Sequence, residues 1–160
     1  MESLYKNLTK KKFKIIAILL AFFSDLAIAK YIWDIFSNKA VFEKSFLVVM
    51  DNMEKNPDFN RSTIPKDFFN ELFAIWTQAL LVLLLAVIFV HLINYLLYYK
   101  EKVFAYKYLR AQAWMGGISF LLAGIAATPK VITLSLAGLG LLYVAFGLRE
   151  FTVKSPEPKS

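Results

Sequence analysis

Cysteine is absent from this chain of 160 residues. Its absence excludes disulfide scaffolds, thiolate metal sites, CxxC redox chemistry and cysteine nucleophiles. Histidine occurs once, as His91, so no multi-histidine metal centre can be built. The sequence has no HExxH, no Walker loop, no GxSxG, no GxGxxG and no nucleophile with a base beside it. These gaps turn the reading away from an enzyme, with a lipid-modifying membrane enzyme, which needs few motifs, as the lesser alternative. No cofactor and no metal is expected. Charged residues are sparse at 19%, against 58% hydrophobic. With a mean hydropathy of +0.52, such a chain is too apolar for a water-soluble globule and belongs in a bilayer.

A hydrocarbon core about 30 Å thick takes roughly 20 apolar residues as a helix. Four segments meet or approach that length, at about 15–36, 72–97, 108–127 and 131–148. The expected fold is therefore all-α: an integral membrane four-helix bundle occupying residues 15–151 as one domain, between a basic tail (1–14) and a disordered tail (152–160). The second span is the clearest, because Thr77 and Gln78 alone interrupt FAIWTQALLVLLLAVIFV. No Gly or Pro follows Pro65 until past Tyr99, which predicts a helix of roughly 50 Å that must tilt or project from the bilayer. Between the third and fourth spans only TPK intervenes, a hairpin with Thr128 as N-cap and Pro129 in the first helical position.

Lys and Arg set the orientation. Lys6, Lys10, Lys11, Lys12 and Lys14 precede the first span; Lys100, Lys102, Lys107 and Arg110 join the second to the third; Arg149, Lys154 and Lys159 follow the fourth. The long loop on the other side balances Lys39, Lys44, Lys55, Arg61 and Lys66 against five acidic residues. Both termini are thus expected in the cytoplasm, in a multi-pass protein read as belonging to a bacterial cytoplasmic membrane. The net charge of +7 becomes a basic rim facing anionic lipids at the cytoplasmic face, not a nucleic-acid surface. Tyr95, Tyr98, Tyr99, Phe104, Tyr106, Tyr108 and Trp114 crowd that end of the spans as an aromatic belt, and Phe68, Phe69, Phe73 and Trp76 form the opposite one.

In the long outer loop, Phe42, Phe46, Val49, Met50 and Met53 fall on one helical face. They predict a short amphipathic helix at about 40–55, packed on the protein itself or on lipid. Asn56-Pro57 ends it, and Asn60-Arg61-Ser62 is a glycosylation sequon. Asp67 and Glu71, four apart, offer two outer carboxylates to a cation or, more simply, form the acidic first turn of a helix. Small residues line the later spans: Ala113, Gly117 and Gly124 on the third, Gly140 and Gly147 on the fourth. Such stripes allow backbones to approach closely, either across the hairpin or in a homo-oligomer seam.

The stretch SDLAIAKYIWD, residues 24–34, carries the main puzzle. If the span begins near Ile15, Asp25 lies about 15 Å in, near the midplane, and Lys30 about 7 Å further. A carboxylate there costs at least ~3 kcal/mol, so it must face protein or water, find a partner or be protonated. Lys30 and Asp34 can pair locally at i,i+4. Asp25 and Lys30 point about 140° apart, so Asp25 needs another helix. By depth the candidates are Gln112 and Ser119 on the third span, Gln78 on the second and Ser135 on the fourth, with His91 and Asn94 nearer the cytoplasmic side. His91 reads as a hydrogen-bonded interior residue ahead of a haem ligand or proton relay. A cleavable signal with Ala27 and Ala29 before the cut would dissolve the puzzle, but apolarity resumes as YIWDIF, which favours a retained span.

Two functional expectations follow. One is a non-catalytic subunit or assembly protein that associates with itself or with other membrane proteins. The alternative is a proton or cation channel or transporter subunit with Asp25 in the polar path.

Overall fold

The computed structural model describes residues 5–56, 59–60, 64–65, 67–126 and 132–153. Among them are five helices and no strand: α1 (Lys10–Phe36), α2 (Lys39–Met53), α3 (Phe68–Tyr99), α4 (Val103–Ala126) and α5 (Ile132–Glu150). Three of these, α1, α3 and α5, are long and apolar enough to cross a membrane. At 24 residues α4 spans about 36 Å, but Arg110, Gln112 and the Gly116-Gly117 pair dilute its apolarity and it is not among the three. The amphipathic segment forms α2, with Asn38 as N-cap accepting from the Ala40 and Val41 N–H groups. It ends at Met53 with Glu54 as C-cap, ahead of the stop expected at Asn56-Pro57; the cap expected at Thr128-Pro129, Pro57 itself and the sequon beyond Asn60 lie outside the described residues.

The first helix begins at Lys10, five residues ahead of Ile15, so part of the expected basic tail is helical. Thr9 explains the start: its hydroxyl accepts from the Lys12 N–H at 3.3 Å. Lys10 and Lys14, one turn apart, both reach Glu101, at 3.0 and 2.8 Å. Lys14 is buried, and its ammonium also donates to the Tyr99 carbonyl at 3.2 Å. That carbonyl ends α3, where the helix dipole favours a cation. Glu101 itself has φ 58, the left-handed conformation usual for glycine after a helix. The Lys102 N–H to Leu97 carbonyl and Glu101 N–H to Tyr98 carbonyl bonds close this turn as a Schellman motif.

The chain forms two compact units, one of residues 1–28 and 88–160, the other of residues 29–87. In the first, α1 turns Phe13, Ala17, Ala21, Ser24 and Asp25 inward, a single stripe at helical spacing. They meet Tyr95, Tyr98, Leu109, Ala113, Leu141, Val144 and Leu148 in one core. At one end Phe13 stacks on Phe151 at 4.7 Å, and Tyr5 donates to the Tyr143 carbonyl at 2.7 Å. Here the aromatic belt needs correcting: Tyr95, Tyr98 and Tyr106 are buried. Each carries a hydroxyl on a ring large enough for the core, and Tyr106 donates to the Leu148 carbonyl at 2.8 Å.

In the second unit α2 packs on the first turns of α3 through aromatic rings. Phe42 lies 5.7 Å from Phe69, 5.3 Å from Phe73 and 6.2 Å from Trp76. Phe46 lies 5.4 Å from Phe69, and the Trp76 indole donates to the Phe36 carbonyl at 2.9 Å. Phe42, Phe46 and the buried Met50 of the amphipathic face are thus turned onto the protein itself, while Met53 stays exposed. Val41, Val48 and Val49 remain exposed.

Candidate functional site

Ser24 and Asp25 are neighbours on α1, about 100° apart around the helix, and both are buried. That offset sends them to different helices. The Ser24 hydroxyl donates to the Leu20 carbonyl at 2.8 Å and lies 3.2 Å from the Ala137 carbonyl of α5. Asp25 turns to α3 and α4. Tyr95 donates its hydroxyl to Asp25 Oδ2 at 2.5 Å, and Gln112 Nε2 donates to Oδ1 at 3.0 Å. His91 Nδ1 lies 2.9 Å from Oδ2.

Counting protons orders this cluster. An ionised carboxylate only accepts, so Tyr95, Gln112 and the Nδ1–H tautomer of His91 all donate to it; that tautomer is assigned from the network. The second Gln112 hydrogen then goes to the Tyr95 oxygen, 2.9 Å away, and the 3.2 Å approach of Gln112 Nε2 to His91 Nδ1 is in this tautomer a contact between two donors. Reversing the amide would set its oxygen against an ionised carboxylate, so the orientation, like the tautomer, is assigned from the network. The arrangement leaves Gln112 Oε1 buried without a partner. Asn94 Oδ1 and the Tyr98 hydroxyl share that condition, although Asn94 Nδ2 donates to the Val90 carbonyl at 2.9 Å. His91 stands at the edge, its side chain 18% exposed and its ring edge-on to Tyr108 at 5.8 Å.

Of the expected partners for Asp25, Gln112 is brought to it and Ser119 is not, being exposed on α4. Ser135 packs against Gly124 instead: a Cβ on that glycine would lie 2.8 Å from the Ser135 nitrogen. Gln78 is exposed and belongs to the other unit. His91, expected nearer the cytoplasmic side, is a direct partner because its ring reaches back along α3. The residue sequence reasoning missed is Tyr95, assigned to the aromatic belt. A helical-wheel signal marks it: His91, Asn94, Tyr95 and Tyr98 share an arc of about 100° on the otherwise apolar stretch of α3 after Gln78.

Elsewhere, Lys30 Nζ lies 2.6 Å from Asp34 Oδ2 on the exposed surface of α1. Asp67 and Glu71 are both exposed, with the Glu71 N–H bonded to the Asp67 carbonyl at 3.0 Å in the opening turn of α3. Gly117 and Gly124 face α5, where a Cβ would meet Leu142 at 2.9 Å and Ser135. On α5, however, the closest approach to α4 falls on Gly138: a Cβ there would lie 2.7 Å from the Leu121 nitrogen and 2.9 Å from the Gly117 carbonyl oxygen. Gly140 and Gly147, about 200° round the helix from Gly138, face Leu20 and Phe13 instead.

Compared with protein families, curated proteins and solved structures, the chain matches none. The functional reading rests on its own geometry.

Proposed function

We propose that this chain is a four-span, non-catalytic membrane subunit that works by associating with copies of itself or with other membrane proteins. The observation supporting this is that Asp25 finds its partners within one chain. Three donors from α3 and α4 surround its carboxylate, while Ser24 beside it reaches α5. Two adjacent residues thus tie α1 to α3, α4 and α5. In this reading α4 is the fourth span, held by that bond and by glycine contacts to α5, with Arg110 at its cytoplasmic end and both termini cytoplasmic. The spans keep large apolar surfaces for lipid or partners: only 17% of the most apolar stretch of α3 is buried. Native mass spectrometry of the detergent-extracted protein tests this. An oligomer or a co-purifying membrane subunit is expected; a lone monomer overturns it.

One observation favours a second reading, a proton or cation path. His91 contacts Asp25 at 2.9 Å while part of its ring is exposed, so the cluster has an outlet. Reconstituted into proteoliposomes, the wild type would then carry a flux that Asp25→Asn abolishes. Absence of flux, or flux unchanged in the variant, ends this reading.

A further inference from the structure

Within the second unit, α2, the first turns of α3 and Phe59, Ile64 and Pro65 line an open cavity of about 570 Å³. That is a small-molecule volume. Its walls include Phe46, Met50, Met53, Phe59, Phe68 and Leu72, aromatic and thioether side chains that adapt to irregular shapes. Among the described residues lining it, Ser45 is the one with a polar side chain, and its hydroxyl already donates to the Val41 carbonyl at 3.0 Å. Among the described residues no charged side chain lines it.

This lining selects among occupants. A peptide strand would bring N–H and C=O groups that these apolar side chains cannot satisfy, at the cost of desolvating each one. Hydrocarbon carries no such demand, and α3, whose first residues form one wall, is the longest apolar helix of the chain. Charge supplies the second half of the argument. The Lys39 ammonium lies 5.7 Å from the Phe69 ring centre, and Phe69 packs on Phe42 and Phe46, both part of the wall. Lys39 donates to the neutral Asn70 amide at 2.8 Å, a bond that leaves its positive charge to attract an anion. A cation one ring away from an apolar cavity matches a phosphate joined to an acyl chain.

We propose that this cavity binds one acyl chain of an anionic bilayer phospholipid, with Lys39 facing its phosphate. The site stands whether or not the protein assembles with others.

The test is native mass spectrometry on delipidated protein in maltoside detergent, titrated with dipalmitoyl phosphatidylglycerol or dipalmitoyl phosphatidylcholine. One tight lipid is expected, with the anionic lipid preferred. Met53→Trp, which fills the cavity, should weaken it about tenfold, the effect of excluding roughly two methylenes. Lys39→Gln should remove the preference for the anionic lipid while chain binding persists. Ser45→Leu serves as a second filling variant should Met53→Trp fail to fold, and Glu43→Gln, off the cavity wall, should bind as wild type. Equal lipid binding by wild type and folded filling variants overturns the proposal, as does a dimer that these variants dissociate.

Discussion

Tyr95 and Tyr98 lie three residues apart on α3, and both rings are buried, at 2% and 0% exposure. Replacing either by Phe keeps the ring and removes only the hydroxyl, so no cavity term enters. The two changes should nevertheless have opposite signs. At Tyr95 the hydroxyl donates to Asp25 Oδ2 and accepts from Gln112 Nε2. A hydrogen bond to a charged group contributes about 1.5–3 kcal/mol in soluble proteins, whereas interhelical bonds in membranes average about 0.6 and reach about 1.7, because the unfolded chain in lipid also finds partners. A double-sided bond to a carboxylate belongs at the upper end of the membrane range, so Tyr95→Phe should destabilise by about 1–2 kcal/mol, a factor of roughly 5–30. At Tyr98 the hydroxyl has no partner. Its removal ends a desolvated, unmade bond, and Tyr98→Phe should be neutral or stabilising by up to about 1 kcal/mol.

The assay is reversible unfolding in mixed micelles by titration with a denaturing detergent, followed by far-ultraviolet circular dichroism. If both variants fall within about 0.3 kcal/mol of wild type, the cluster is not the clamp described above. If Tyr98→Phe is the more damaging of the two, the accounting of buried hydroxyls is wrong.

The remaining predictions use the same assay. Gln112→Leu loses two donated bonds but also removes the orphaned Oε1, so it should destabilise less than Tyr95→Phe; a larger loss would refute the accounting. Gly138→Ala would press a methyl onto the backbone at Leu121 and Gly117 and should cost about 1–3 kcal/mol. Gly140→Ala meets only Leu20, at 3.5 Å, and should stabilise by up to about 1 kcal/mol through helix propensity; equal effects at the two sites would contradict the packing. The bond from Lys14, and then that from Lys10, holds the Glu101 carboxyl below its ordinary value of 4.5. With the folded value below the unfolded one, the contribution is present above the unfolded value and lost as pH falls through the folded one. The stability difference between wild type and Glu101→Gln should be constant near neutral pH and close in acid. A gap that persists at the lowest pH reached rules this out.

How much of this was legible in the sequence depends on the kind of information each feature needs. Apolar length is local, so α1, α3 and α5 could be read directly, and α2 from its spacing of Phe and Met. The need of Asp25 for another helix was equally legible, because it follows from depth and solvation cost. Gln112 lay among the residues at a suitable depth. Tyr95 did not stand out because a tyrosine near a helix end fits an interfacial belt as well as a core, and Tyr99, one turn on, is in fact exposed. Choosing between them requires the rotation of α3 about its own axis. A helix apolar on all sides has no amphipathic face to reveal that rotation, and the same ambiguity hid Gly138 behind Gly140 and Gly147 on α5.

In such a helix the polar residues become the only markers of azimuth. His91, Asn94, Tyr95 and Tyr98 fall within one arc of about 100°, and the structure buries or half-buries all four. On α1 the marker is the Ser24-Asp25 pair, which continues the stripe begun by Phe13, Ala17 and Ala21. Each arc is loose alone, but a carboxylate on one helix and three donors on two others can close on each other in few rotations. The cost of leaving Asp25 unanswered in hydrocarbon therefore does for these helices what a hydrophobic face does in water: it selects which side of each helix turns inward. On this argument the cluster fixes the inner faces of α1, α3 and α4, and thereby leaves apolar side chains on the outer faces.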